Sequence, residues 1–176
     1  MSLIYENKVP ASYRVAFIAK VILVAKNLGI PANWLMAIIN WESAGKFTAD
    51  VTNAQGYTGL IQFGVAAAID LKTTTLALRN MTAVKQLDYV EAYYKMWYSR
   101  LKITAPKSYG DVYLITLYPK AANKPDSFVL GSNPTIFANN NPAFKYGKTY
   151  VTAGDVRRYM LNAIPKDYQK EFETKK

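Results

Sequence analysis

The chain has 176 residues, 51% of them apolar and 19% charged, and this composition predicts one folded domain rather than a disordered segment. It contains no cysteine and no histidine, which excludes disulfide frameworks, thiolate metal sites and hydrolases that need an imidazole. Any catalysis must therefore use carboxylates, tyrosine or lysine. The formal net charge is +10, and residues 71–176 carry 17 basic against 8 acidic side chains, which favours an anionic partner.

The first forty residues predict two helices joined by a very short turn. Pro10 suits the first turn of a helix that reaches about Asn27, and Gly29 is a natural stop after it. Pro31 then begins a second helix, and we expect the two to pack as a hairpin. The apolar residues with helical spacing on the first helix are Val15, Ile18, Ala19, Ile22 and Leu23.

The second helix places one carboxylate in line with its apolar face. Leu35, Ile38, Ile39 and Glu42 stand at i, i+3, i+4 and i+7, so they share one side of the helix. Partial burial makes a carboxylate harder to ionise and raises its pKa, so Glu42 is a candidate general acid. The alternative interpretation is that Glu42 borders the helix with its carboxylate in water.

The segment after Glu42 is polar and rich in turn-forming residues, so residues 44–63 predict a loop or a small irregular sheet. Two short motifs frame it, namely Glu42-Ser43 and Gly59-Leu60-Ile61-Gln62. Together they resemble the soluble lytic transglycosylase and goose-type lysozyme superfamily, in which a helix ends in Glu-Ser and a turn leads to Gly-Leu-Met-Gln. Ile61 replaces the usual methionine. The resemblance covers about residues 30–64, and the rest is more loosely similar to a phage endolysin or virion-lysozyme branch through residues 133–137 and 155–160.

This resemblance implies a mainly α, lysozyme-like α+β fold formed by a single catalytic domain over residues 1–176. A helical bundle would carry residues 44–63 as one wall of a substrate cleft. Glu42 would act as general acid/base on the β-1,4 bond between N-acetylmuramic acid and N-acetylglucosamine in peptidoglycan. The resemblance places Ser43, Thr58 and Gln62 at substrate-binding positions, and it implies that Thr58 and Gln62 form hydrogen bonds to substrate or to the acid. The alternative for Thr58 and Gln62 is ordinary turn and cap polarity.

Two further helices are predicted in the middle of the chain. Residues 65–71 form a short one, and residues 82–101 form a longer one with Thr82 as its cap. The longer helix carries a dense aromatic group, for which burial in the core is favoured over stacking on sugars: Tyr93, Tyr94, Trp97 and Tyr98.

Residues 111–118 fit either a helix or a strand, and Pro119 ends the element. The resemblance implies a helix here, with an aromatic residue near its end that faces the catalytic acid. Tyr118 is the matching residue, but the family's Ala-Tyr-Asn reads Leu117-Tyr118-Pro119 in this chain. A packed aromatic residue is therefore the competing interpretation of Tyr118.

Residues 120–150 predict a long loop of the kind that often carries function, and Tyr146 and Tyr150 are expected to border the substrate groove. Thr152 opens another helix, with Asp155 placed as in a capping box. This helix extends to about Ala163. The charged tail that follows is expected to fray or to form a surface helix.

The predicted reaction has two variants. In a lytic transglycosylase, Glu42 also deprotonates the muramic acid 6-hydroxyl and an anhydro ring closes. In a hydrolytic muramidase, a second carboxylate such as Asp50 holds a water molecule. A different class of function is a non-catalytic module that binds cell wall or has a structural place in a virion. Neither a metal nor an organic cofactor is expected in any of these.

The resemblance implies that the partner is the peptidoglycan glycan strand. Nucleic acid is not expected, because the chain has no dense run of lysine and arginine outside its short ends. Residues 16–25 are apolar, but Lys20 interrupts them and they are too short to span a bilayer, so we expect neither a signal peptide nor stable membrane insertion. Delivery to the wall would follow release at lysis or transport in a phage virion. A monomer is expected.

Overall fold

The computed structural model describes residues 2–173, and over these residues the protein is mainly helical, as predicted. The lysozyme-like cleft and its β region stay predictions. The chain forms two compact units, Met1–Ala105 and Pro106–Lys176. The single catalytic domain stays a prediction. Within residues 2–173, no single helix is both long and apolar enough to cross a membrane, whereas the bent pair formed by the first two helices passes that test on length and composition alone.

The first unit contains five α-helices among its described residues. They are α1 Arg14–Leu28, α2 Ala32–Glu42, α3 Val65–Asp70, α4 Thr75–Asn80 and α5 Ala83–Leu101, and a short 3-10 helix, Glu6–Lys8, precedes them. Helix α1 packs against both α2 and α5. The predicted helices are thus confirmed in number and approximate position up to residue 71. Helix α4, which begins within the run Thr73-Thr74-Thr75, was not predicted.

Helix α1 buries a different face from the one suggested by its spacing. Its buried residues are Phe17, Val21, Val24, Ala25 and Leu28. The residues singled out in the sequence lie largely on the outside, since Val15 is 86% exposed and Ile22 and Leu23 are each half exposed. Apolar residues occur all round α1, so periodicity cannot decide which side packs against α2 and α5.

Helix α2 is buried almost completely, as its sequence predicted. Residues 34–39 are all buried, including Leu35, Ile38 and Ile39 on the predicted face. Gly29 ends α1 in the left-handed conformation (φ 66°), and the chain turns through 114° into α2. That angle corrects the predicted hairpin, because the two helices cross instead of running antiparallel.

One buried side chain holds the irregular segment between α2 and α3. Gln86 of α5 is fully buried; its Oε1 accepts from Leu60 N at 2.7 Å, and its Nε2 donates to the carbonyls of Ala49 at 3.2 Å and Leu78 at 2.8 Å. A Cβ on Gly59 would lie 2.3 Å from Gln86 Oε1, so this close approach requires glycine. The segment itself contains turns and two isolated bridges, Thr52 with Thr58 and Thr58 with Phe63.

The second unit contains four α-helices among its described residues. They are α6 Tyr109–Leu117, α7 Pro134–Asn140, α8 Ala153–Asn162 and α9 Lys166–Glu173, with 3-10 helices Pro119–Ala121 and Pro142–Phe144 between α6 and α8. Residues 111–118, for which the sequence allowed a helix or a strand, belong to helix α6 up to Leu117. Helix α9, in the charged tail, packs against α6, because Phe172 is buried and its ring centroid lies 4.8 Å from that of Tyr109.

Ionic contacts join α6 to α8 in this unit. The buried Asp111 receives hydrogen bonds from Arg157 Nη2 at 2.6 Å and from Asn123 N at 2.8 Å. Arg157 also bonds to Asp126 and to the Lys124 carbonyl. Burial alone would lower the pKa of Arg157, but the hydrogen bonds and charges of Asp111 and Asp126 outweigh it and raise that pKa.

Replacing Gln86 tests whether this side chain stabilises the loop. We expect Gln86→Leu to lower the free energy of unfolding by about 2–4 kcal/mol, because Leu60 N and two carbonyls would be left buried without their partner. Chemical denaturation measures the difference. The exposed Gln55 offers a matched control, and Gln55→Leu should change stability by less than about 0.5 kcal/mol. Equal effects of the two substitutions would contradict this role.

Candidate active site

Glu42 lies at the C-terminal end of α2, where the buried helix reaches the surface. The side chain is half-buried, between the exposed Trp41 and the fully buried Ser43. The helix determines this position, because Ile38 and Ile39, one turn earlier on the same side, and Leu35, two turns earlier, are all buried. Both interpretations of Glu42, the general acid and the residue that borders the helix with its carboxylate in water, stay predictions.

A buried tyrosine of α5 lies within reach of the charge on Glu42. Tyr93 is 8% exposed, and its pKa is raised to about 12, mainly by burial, with further contributions from the negative charges of Glu42 and Asp70. Tyr93 remains protonated at neutral pH. The site thus combines a half-buried carboxylate with a neutral phenol.

The ring of Tyr93 belongs to an aromatic group that borders this site. It meets Phe63 edge-to-face with centroids 6.0 Å apart, and it lies 5.9 Å from Tyr94 and 6.5 Å from Trp97. Tyr93, Tyr94 and Tyr98 are buried, as the sequence favoured, and Trp97 is half-buried. Phe63 directly follows Gln62, so the aromatic group connects α5 to the Gly-Leu-Ile-Gln turn.

An ion pair that the sequence did not predict lies beside this aromatic group. Arg100 donates two hydrogen bonds to Asp70, at 2.8 and 2.9 Å, and its guanidinium carbon lies 5.1 Å from the Trp97 ring centroid. The hydrogen bonds from Arg100 hold the pKa of Asp70 below its usual range. No spacing rule links residues 70 and 100, so only the packing of α3 near α5 could reveal the pair.

The three polar residues expected to bind substrate hold the loop in this structure. Ser43 Oγ accepts from Phe47 N at 3.1 Å, and the hydroxyl of Thr58 pairs with that of Thr52 at 2.9 Å; both side chains are fully buried. Gln62 is half-buried, has φ 54°, and donates from Nε2 to Gly59 O at 3.1 Å. A direct contact of these side chains with substrate stays a prediction.

The predicted second carboxylate lies in a different environment. Asp50 is exposed, and its charge acts on Tyr13, whose pKa is raised first by burial and then by Asp50. Tyr13 in turn donates to Phe47 O at 3.0 Å. Within residues 2–173, acidic side chains nowhere gather in a group of three that could hold a metal ion. A water-holding role for Asp50 stays a prediction.

The remaining predicted site residues, Tyr118 and Tyr146, belong to the second unit. Tyr118 is half-buried at the end of α6 and packs edge-to-face on Phe137, with centroids 5.6 Å apart. Tyr146 is exposed, with the Arg158 guanidinium carbon 4.0 Å from its ring centroid. Each has a clear packing role within its unit, and the substrate-binding roles expected for them stay predictions.

Comparisons with known protein families, with curated proteins and with solved structures find no match for this chain. The assignment of a function therefore depends on the chemistry of Glu42 and its surroundings.

The pKa of Tyr93 reports the charge on Glu42. We expect the phenol to titrate at about 12 in the wild type and at a lower pH in Glu42→Gln, because removing a nearby negative charge makes the phenolate less costly. Carbon-13 chemical shifts of the tyrosine Cζ atoms, assigned with a Tyr93→Phe variant, measure the change. Glu173→Gln, which makes the same change at an exposed site, should leave the Tyr93 titration unaltered. An identical titration in Glu42→Gln would contradict the proximity.

Proposed function

We propose that this protein cleaves peptidoglycan at the β-1,4 bond between N-acetylmuramic acid and N-acetylglucosamine, with Glu42 as general acid and then base. The observation that carries the proposal is the placement of Glu42, half-buried at the end of a buried helix and close enough to Tyr93 to influence its pKa. The Glu-Ser and Gly-Leu-Ile-Gln motifs that frame the adjoining loop support the same reaction.

The chemistry available at this position suits glycosidic cleavage. Without histidine and cysteine, the chain has no imidazole base and no thiolate nucleophile, so a carboxylate is the natural proton donor near neutral pH. Glycosidases protonate the leaving oxygen with a carboxylic acid whose surroundings disfavour its charged form. The proposal requires surroundings of that kind at Glu42, and its half-buried position directly after the buried residues of α2 supports this.

The proposed reaction proceeds in two steps. Glu42 gives its proton to the bridging oxygen, the bond from that oxygen to the muramic acid anomeric carbon breaks, and the N-acetyl group of the substrate stabilises the cationic centre. The carboxylate of Glu42 then removes the proton of the muramic acid 6-hydroxyl, whose oxygen bonds to the anomeric carbon and closes an anhydro ring. This second step regenerates the acid and makes the protein a lytic transglycosylase.

The wider setting follows from the same proposal. In this proposal the loop between α2 and α3 forms one wall of a lysozyme-like substrate cleft, with Gln62 and Thr58 on it. The protein reaches the bacterial wall as a phage endolysin at lysis or as part of a virion. The excess of basic side chains favours approach to a wall that carries acidic peptides and lactyl groups.

Replacing Glu42 tests this function. We expect Glu42→Gln to fold normally and to reduce clearing of a cell-wall suspension by at least about 100-fold, because the amide cannot donate the proton. The decrease in turbidity of purified sacculi measures the rate. Glu173→Gln is the matched control and should clear at the wild-type rate.

Wild-type clearing by folded Glu42→Gln would contradict the proposal. The same assay examines the hydrolytic variant of the reaction: a loss of activity in Asp50→Asn that equals the loss in Glu42→Gln would favour a water-holding second carboxylate. Retention of activity in Asp50→Asn is the result that the transglycosylase mechanism predicts.

A further inference from the structure

A tight turn in the second unit presents an exposed tyrosine in a strained backbone conformation. Tyr146 has φ 46° and Gly147 has φ 77°, and Lys148 N donates to Lys145 O at 2.9 Å, so residues 145–148 form a turn with both central residues left-handed. Tyrosine rarely adopts this conformation, and such strain persists where the surrounding structure holds it, often at functional sites.

One buried carboxylate organises the side chains around this turn. Asp155, at the start of α8, accepts from Lys148 Nζ, from Arg158 Nη2 at 3.0 Å, and from the backbone N and hydroxyl of Thr152 at 2.9 Å each. Burial acts to raise the pKa of Asp155, but the bonds from Lys148 and Thr152 outweigh it, and the pKa lies below its usual range. Asp155 thus fixes two cations on one side of the unit.

Each of these cations lies over an exposed aromatic ring. The Arg158 guanidinium carbon is 4.0 Å from the centroid of Tyr146, which is 45% exposed, and Lys148 Nζ is 4.8 Å from that of Tyr150, which is 41% exposed. Contact with a cation occupies only part of each ring. The remaining exposure leaves both rings accessible from solvent.

The residues on either side of the turn are fixed to the core of the unit. Phe144 is buried, with its ring 5.0 Å from that of Tyr159 and 6.0 Å from that of Tyr113. On the other side, Val151 O accepts from Leu130 N at 2.9 Å. A surface held in this way loses little conformational entropy when a ligand binds to it.

We propose that Tyr146, Lys148, Tyr150 and Arg158 form a binding platform for an anionic glycan strand on the second unit. The two tyrosine rings contact the apolar faces of sugar rings, and the two cations attract the carboxylates that the strand carries. The choice of glycan as ligand rests on the proposed function, whereas the platform itself is defined by the contacts within the second unit.

The charge of the platform favours a sparsely charged polymer over nucleic acid. Lys148 and Arg158 both bond to Asp155, so about half of their positive charge is balanced within the protein. Strong binding to a continuous phosphate backbone depends on many cations that displace counterions. A glycan strand carries widely spaced carboxylates with uncharged sugar faces between them. Such a strand matches two tyrosine rings and two partly balanced cations better than a continuous phosphate backbone does.

The test measures binding without cleavage, in the Glu42→Gln background. Co-sedimentation with purified peptidoglycan, stripped of attached phosphate polymers, gives the bound fraction at several salt concentrations. Tyr146→Asn combined with Tyr150→Ser removes both rings, and asparagine tolerates the left-handed conformation at residue 146. We expect this double variant to bind about tenfold more weakly, and Arg158→Gln to bind more weakly at low salt.

Two controls separate ring contact from charge alone. Tyr146→Phe keeps the ring and should retain binding, and Lys120→Gln removes one charge from an exposed lysine outside the platform and should have little effect. Thermal melting checks that each variant is folded. The co-sedimentation assay measures binding and does not depend on cleavage. A wild-type protein that fails to cleave peptidoglycan would therefore overturn the proposed function without changing the test of the platform.

Several outcomes would overturn the platform. The first is unchanged co-sedimentation of the folded double variant, and the second is a Glu42→Gln protein that does not bind peptidoglycan at all. The third is binding to uncharged chitin that equals binding to peptidoglycan and does not change with salt, which would exclude a role for the cations. Variants that lose retention on single-stranded DNA but not on peptidoglycan would assign the surface to nucleic acid instead. Selective loss of peptidoglycan binding is the result that the proposal predicts.

Discussion

The burial of α2 determines where Glu42 lies, and the candidate site depends on that constraint. Residues 34–39 are all buried, so Glu42 in the last turn lies where the C-terminal end of the helix leaves the core. Glu42 continues the line of Leu35 and Ile39 and is therefore held at the boundary between core and solvent. Helix α5 then brings Tyr93 close enough for the charge on Glu42 to affect the phenol. The position of this carboxylate at the boundary between core and solvent therefore follows from helix packing.

The loops that surround the two proposed functional surfaces are each held by one buried polar side chain. Gln86 bonds to three backbone groups of the first unit and fixes the segment that ends in Gln62. Asp155 gathers Lys148, Thr152 and Arg158 and fixes the turn that presents Tyr146. Neither loop has the hydrogen-bond ladder of a regular sheet, so a fully bonded side chain in the core takes over that stabilising role. In both cases a buried contact positions an exposed or half-buried group.

The sequence predicted the elements whose signals are local. Helix α2 and helix α5 have the expected extent, Thr82 caps α5, and the Thr152–Asp155 capping box begins α8. The predictions failed where the outcome depends on distant contacts. The buried side of α1 is set by α2 and α5, α4 follows a threonine run that resembles a break, and Asp70 meets Arg100 across thirty residues. For the candidate site, the sequence identified Glu42 and the loop motif, whereas the closeness of Tyr93 arises only when α5 packs. Asp155 was predicted as a helix cap, but its bonds to Lys148 and Arg158 could not be derived from spacing.

Mass spectrometry of purified peptidoglycan after incubation with the protein tests the central claim most directly. If Glu42 donates a proton to the glycosidic oxygen and then deprotonates the 6-hydroxyl, the products should be disaccharide-peptides that end in 1,6-anhydromuramic acid, and folded Glu42→Gln should release none of them. Products with reducing-end muramic acid would reject the transglycosylase step but keep Glu42 as the acid. Intact glycan strands after prolonged incubation with wild-type protein, or equal release by Glu42→Gln, would contradict the account.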